Sequence, residues 1–513
     1  MKDFTLAEIA KACNGEYVGD ESLKNTKITS VERDSRQVKD GSLFLAIKGE
    51  RVDGHNFIEK CFAQGAVCAL CEKAPENATK PCIVVPSTLD AVKKIGRAYR
   101  EKFDIPVIGI SGSVGKTSTK EMLYAVLSQK FKTHKTQGNL NNELGVPLTL
   151  LSMPEDTEAA VIEMGISDFG EMTRLSEMVQ PTICVLTIIG ECHLENLGDR
   201  DGVLKAKTEM FKNARENADF ILNGDDDKLS TVKTVNGKKP VFFGLDAKND
   251  FYAKNIKNSG DGKVLATLCF DNNNIDVEIP AIGTYMVTNA LAAAAAGKLL
   301  GLTDEEIANG VASYKTVGSR ANVINTGKIK IIDDCYNANP TSVRASLDTL
   351  SNLDGRKVAI LGDMKELGSE ELKLHFDTGV YAKSKGIGTV ITVGELAKEL
   401  AKGADGKAFD TIEDAKPEIL KTIKSGDVVL VKASHSMQFE NIVEFLKQNF
   451  LIYRKKNVDK SKIQSYNCPI KKKPVSKNSR FFQSFQRVSG WCKLTAEDLP
   501  NGLVRAGRKP FGK

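Results

Sequence analysis

No run of roughly 18 apolar residues occurs in this 513-residue chain, which argues against a helical membrane span. The opening stretch "MKDFTLAEIAKACNGEY" lacks the apolar core of a secretory signal; instead Thr5 and Glu8 predict a capping box on a first helix that stops near Gly15. Of the 11 cysteines only Cys68 and Cys71 have CxxC spacing, with no second Cys or His pair at zinc-site distance, so buried reduced thiols of a cytoplasmic enzyme are expected. No internal repeat is present. A basic excess is also missing from most of the chain. Residues 453–513 hold 16 Lys and Arg against 3 Asp and Glu, a net of +13, and the whole chain is only +6, which leaves −7 for the rest.

What is present is alternation. Residues 1–103 contain short strand-like runs ("SLFLAIKG", "AVCALCE", "PCIVVP") with helical pieces between them. Residues 104–315 contain the apolar runs "IPVIGI", "AAVIEMG", "TICVLT" and "ADFILNGDD", each separated by a helix-length segment. Buried runs alternating with helices predict a parallel α/β sheet. Around 241–280 the text turns shorter and more polar, like a β insertion, and the Ala-rich "TNALAAAAAGKLLG" predicts a closing helix. Residues 316–453 offer "KIKIIDD", "KVAILGD", "TVITVG" and "DVVLVKAS" as strands, with Asn339 as N-cap and Pro340 opening a helix. This third block reads as Rossmann-like but has no GxGxxG after its first strand, which disfavours a dinucleotide site. The fold class expected is therefore α/β with three domains: a central phosphate-loop parallel-sheet domain, a small N-terminal α/β domain and a Rossmann-like C-terminal domain. Residues 454–513 keep no steady apolar period and predict a disordered basic tail. Its mixture of lysines and aromatics is compatible with nonspecific polyanion or nucleic-acid contact, but a solvated tail is the first reading.

The chemistry begins at "GISGSVGKTSTKEML", Gly109–Leu123. Glycines let backbone amides approach phosphate oxygens, and a helix start favours anions. The full GxxxxGK[ST] pattern needs Gly where Ile110 stands, so this is a shorter GxxGKT loop formed by Gly112, Ser113, Val114, Gly115, Lys116, Thr117 and Ser118. Lys116 would reach the β- and γ-phosphates, and Thr117 would offer its hydroxyl to Mg²⁺. "VIEMG" places Glu163 at a strand end beside the loop, as a natural Mg²⁺ ligand. "TIIGECHLENLG" puts His193 after the next strand, and "DGVLKAKTEMF" puts Lys205 and Lys207 on a helix.

Taken together, "GSVGKTS", "EMG", "ECHLENLG" and "AKTE" resemble the central ATPase domain of the Mur ligases, the ATP-dependent amide-forming enzymes of peptidoglycan synthesis. The resemblance implies ATP and two Mg²⁺ ions, held by Lys116, Thr117, Glu163 and His193, and a carbamate made from CO₂ on Lys207. "TQGNLNNELGVPLTLL", "VGSRANV", "IIDDCYNANPTSVRASL", "VAILGDMKELG" and "DSRQVKDGSLFLAIKGERVDGHNFI" are similar to the member that adds the terminal dipeptide, across about residues 1–452. By that likeness the substrates are UDP-N-acetylmuramoyl-tripeptide and D-alanyl-D-alanine, joined through an acyl phosphate; a monomer in the cytoplasm is expected. Asn141, Asn142, Tyr336 and Asn339 would lie near phosphates and substrate, Asn289 near adenine, and Arg320, Asp334 and Asn337 around the nucleotide. Ser35, Arg36, Lys48, Gly49, Arg51, Asp53 and His55 would bind the UDP-sugar end. The sequence departs from the family pattern at Ile188, at Tyr285 and at Ala433-Ser434-His435-Ser436. Sister ligases that add the third peptide residue, and folylpolyglutamate synthase, carry different text at NNELG and YNANP. A phosphate-loop GTPase would need an NKxD motif, which is absent.

Overall fold

The computed structural model describes residues 1–259 and 262–451, so the basic tail expected at 454–513 lies outside the described residues. Four sheets organise the described residues. The first orders its strands Glu16–Val18, Cys82–Val84, Cys68–Cys71, Ser42–Leu45, Ser30–Glu32. All its pairs are parallel except the edge pair Glu16–Val18 with Cys82–Val84. The three runs picked from sequence are its buried inner strands. The helix Leu6–Cys13 begins with the Thr5/Glu8 capping box, and Asn14, in the left-handed region at φ +54°, ends it just before Gly15.

The second sheet is six-stranded and all-parallel, in the order Val241–Phe243, Asp219–Asn223, Ile183–Leu186, Val107–Ser111, Ala159–Glu163, Thr133–Lys135. Val241–Phe243 therefore belongs to this sheet. The β insertion begins later than the sequence text suggested, as an antiparallel meander Tyr252–Ser259, Lys263–Phe270, Asn273–Ile279. The reason is length: three residues at a sheet edge leave no periodicity to read. Helix Tyr285–Leu299 buries Ala290 through Ala296 completely. Its small side chains let it lie close on the phosphate-loop helix Lys116–Leu127, where a Cβ on Gly297 would stand 3.3 Å from Val126.

The third sheet of six orders Asn322–Asn325, Lys330–Asp333, Val428–Lys432, Lys357–Gly362, Val390–Val393, Lys407–Phe409, parallel except for the first pair. Asn339 caps helix Pro340–Ser351 through the Ser342 amide, as its sequence predicts.

Candidate active site

Strand Val107–Ser111 sits mid-sheet, and the chain leaves it first for Thr133–Lys135 and Ala159–Glu163 on one side, then for Ile183–Leu186 on the other. The carboxyl end of such a strand is a topological switch point, where open α/β sheets bind ligands. Residues 112–118 turn there. Gly112 has φ +149°, and a Cβ on it would stand 1.9 Å from Thr187 Oγ1. Gly115, at φ +85°, starts helix Lys116–Leu127, whose first turn has no side-chain cap. Its amides are left for an anion. The segment 187–192 braces the loop: Ser113 N donates to Ile188 O at 2.8 Å, Thr187 Oγ1 to Val114 O at 2.6 Å, and Gly190 N to Ser113 Oγ at 2.9 Å. Lys116 Nζ rests on Gly112 O at 2.7 Å. Burial pushes its pKa down.

Beside the loop, Thr117 Oγ1 donates to the Glu163 carboxylate at 3.0 and 3.1 Å, and Asn141 Nδ2 donates to the same carboxylate at 2.8 Å. Lys120, fully buried one turn along the helix, stands 3.4 Å from Glu163 Oε2. Lys120 was not singled out in the sequence, since one more lysine on a helix carries no mark. Lys207 is 1% exposed on helix Arg200–Thr208, and no hydrogen bond or ion pair reaches its side chain among the described residues. Desolvation lowers its pKa to about 8, with Cys192 and Lys116 close enough to contribute opposing electrostatic effects. His193, at φ +52°, faces the third block: its Nδ1 lies 2.5 Å from Glu366 Oε2. The imidazole holds the Glu366 carboxyl below its ordinary pKa.

A cavity of about 570 Å³ opens over these groups. Residues 113–118, Asn141, Asn142, Glu163, His193, Asn289, Arg320, Asp334, Tyr336, Asn337 and Asn339 all line it, as do the departures Ile188 and Tyr285. Gly112 and Lys207 are not among the lining residues. Asn289 Oδ1 accepts from Thr119 Oγ1 at 2.9 Å, which ties the Ala-rich helix to the phosphate-loop helix. Arg320 stacks on Tyr336, its guanidinium carbon 3.7 Å from the ring centroid, and Tyr336 stacks on His435 at 5.7 Å. Lys432, another lining residue absent from the sequence reading, is buried against Asp334.

The N-terminal set does not line this cavity. Arg36 forks onto Asp34, with Nη2 2.6 Å from Oδ2. Lys48 and Asp53 close a tight turn that includes Gly49 and Arg51. His55 Nε2 accepts from Glu72 N at 2.9 Å, so Nδ1 carries the proton and donates to Asp53 Oδ1 at 2.7 Å. Ser35 sits between Asp34 and Arg36, in the turn that follows the sheet edge strand Ser30–Glu32.

No group of three or more His, Cys, Asp or Glu side chains among the described residues is placed to hold a metal ion unaided. The donors nevertheless fit magnesium bound with a nucleotide, because Mg²⁺ is commonly held by one or two carboxylates plus substrate phosphates. Thr117 and Glu163 supply the protein oxygens next to an open helix start, and the cavity volume is in the range of ligand pockets.

Three family models cover the chain in turn: the Mur ligase family catalytic domain at 27–101, the Mur ligase middle domain at 110–297, and the Mur ligase glutamate ligase domain at 319–435. The UDP-N-acetylmuramoyl-tripeptide–D-alanyl-D-alanine ligase of Bacillus subtilis is 36% identical over 457 residues, covering 86% of this chain and 98% of that protein. The enzyme of the same name from Escherichia coli is 34% identical over 455 residues, covering 88% and 99%. Among solved structures, MurF from Acinetobacter baumannii superposes with a TM-score of 0.81 at 33% identity, over 87% of this chain and 99% of that one. A MurF ligase from Thermotoga maritima in complex with ADP gives 0.75 at 30%, over 82% and 97%.

Proposed function

Because this chain belongs to the Mur ligase family, we propose that it joins D-alanyl-D-alanine to UDP-N-acetylmuramoyl-tripeptide, driven by ATP, in peptidoglycan precursor synthesis. The carrying observation is one cavity in which the phosphate loop, the Thr117–Glu163 pair and the Arg320–Asp334–Tyr336 cluster face each other. A peptide carboxylate and an amine do not condense unaided, so the carboxylate must first be activated by phosphoryl transfer. That step depends on positioning and charge neutralisation. Lys116 and the loop amides bind and orient the phosphates, and Arg320 adds a second cation to the same cavity. Thr117 and Glu163 would hold one Mg²⁺ and His193 a second, supplying charge against the phosphates. Lys207 has the burial and depressed pKa that favour the neutral amine, which adds to CO₂ and releases a proton; the resulting carbamate would supply an anion for magnesium. The amine of the dipeptide then displaces phosphate from the acyl group while the cavity excludes water.

The division into a UDP-sugar-binding domain at 1–103, an ATP-binding domain at 104–315 and a C-terminal domain at 316–453 is part of this proposal. So are the UDP-end roles of Ser35, Arg36, Lys48, Gly49, Arg51, Asp53 and His55, and the monomeric state. No described helix is long and apolar enough to cross a membrane. The nine described cysteines are free and buried, which supports the cytoplasm as the location.

Phosphate release from ATP with each substrate omitted in turn tests the reaction. Release that needs both UDP-N-acetylmuramoyl-tripeptide and D-alanyl-D-alanine, and that disappears in Lys116→Ala, is expected. Release that ignores the dipeptide would refute it.

A further inference from the structure

Arg320 is a cationic side chain proposed for the phosphates that comes from outside the phosphate-loop segment, and its placement needs a cause. Its backbone is clamped on both sides. Tyr336 N donates to Ser319 O at 3.1 Å, and Ala321 N donates to Asp334 Oδ1 at 3.0 Å. Ala321 has φ +52°, an unfavourable conformation for a residue with a Cβ. The bond to Asp334 therefore holds a backbone that would otherwise relax and swing the guanidinium away.

Asp334 is itself held by one buried cation. Lys432 ends the strand Val428–Lys432, where Val431 is paired with Asp333 of the neighbouring strand, and is 3% exposed. Its Nζ donates to Asp334 Oδ2 at 2.6 Å and to Asn337 O at 2.9 Å. Ser346 Oγ completes the carboxylate at 2.7 Å. Without the ammonium, Asp334 would present an uncompensated charge to a cavity meant for a polyphosphate, and the turn 334–337 would lose its cross-link.

We propose that Lys432 is a positioning residue of the nucleotide site: its ammonium fixes the Asp334–Asn337 turn and, through that turn, sets where the Arg320 guanidinium stands in the cavity. The inference rests on the reading of the cavity as a nucleotide site. Buried charge-assisted hydrogen bonds of this kind are worth about tenfold or more in affinity.

Calorimetric titration of the full-length chain with ADP tests it directly, with no dependence on turnover. Lys432→Met should weaken ADP about tenfold or more. Lys432→Arg should recover part of the loss. In an Arg320→Met background the Lys432→Met change should add little, because the route runs through Arg320. Should Lys432→Met not fold, Lys432→Gln carries the same test, keeping a donor in the slot without the charge. Unchanged ADP affinity in a folded Lys432 variant, or full additivity with Arg320→Met, would overturn the proposal. Failure of the parent chain to bind ADP would instead overturn the nucleotide reading on which it stands.

Discussion

Lys207 is an ordinary residue type in an uncommon place. The residue is 1% exposed, no counter-ion reaches its amine among the described residues, and burial lowers its pKa from 10.5 to about 8. The unfolded chain then binds this proton more tightly than the folded one. Stability tied to Lys207 should therefore rise as pH climbs from about 8 to 10.5, and below about 8 the charged form should oppose folding by roughly 3 kcal/mol. Lys207→Met should accordingly abolish turnover while leaving the melting temperature unchanged or higher. A lowered melting temperature would mean that the lysine is structurally required in its charged form. Because carbamate formation needs the neutral amine, added bicarbonate should raise the activity of CO₂-stripped protein more at about pH 8.5 than at about pH 6.5. A gain independent of pH would remove the carbamate from the account. The sequence made Lys207 visible only through its family likeness, since nothing local separates it from Lys205. Lys432 had no such help: its partner Asp334 is 98 positions away, and only the sheet brings them together.

Among the elements, the strand–turn–helix at 107–127 was the most legible. A five-residue buried strand, two glycines with positive φ and an uncapped helix start each leave a mark in the text. Gly112 carries the strictest demand, because a Cβ there collides with Thr187 Oγ1 and its φ of +149° disfavours other residues. Gly112→Ala should cost ADP binding by calorimetry while the chain still folds; unaltered affinity would show that the loop geometry is not what holds phosphate. The short edge strands were illegible for the opposite reason. Thr133–Lys135 and Val241–Phe243 are three residues each, too brief for alternation to stand out, and the second was read as part of the β insertion.

At the scale of the whole molecule, the loop at 191–195 reaches across to the third block. Glu191 meets Thr341 and, at 4.0 Å, Arg344, while His193 meets Glu366. Such contacts between blocks are where ligands act on closure. An ATP analogue with UDP-N-acetylmuramoyl-tripeptide is expected to compact the full-length chain in small-angle scattering, and superimposable curves would count against closure around the nucleotide. None of these pairs could be read from the chain, because each joins residues 150 or more apart, as Thr341 to Glu191 shows. The central chemical claim is that the peptide carboxylate takes the phosphoryl group before the amine attacks. The most direct measurement follows oxygen: UDP-N-acetylmuramoyl-tripeptide labelled with ¹⁸O in its terminal carboxylate is turned over with ATP and D-alanyl-D-alanine, and the phosphate is weighed by mass spectrometry. The account predicts one labelled oxygen in each phosphate released with product; phosphate free of label would contradict it.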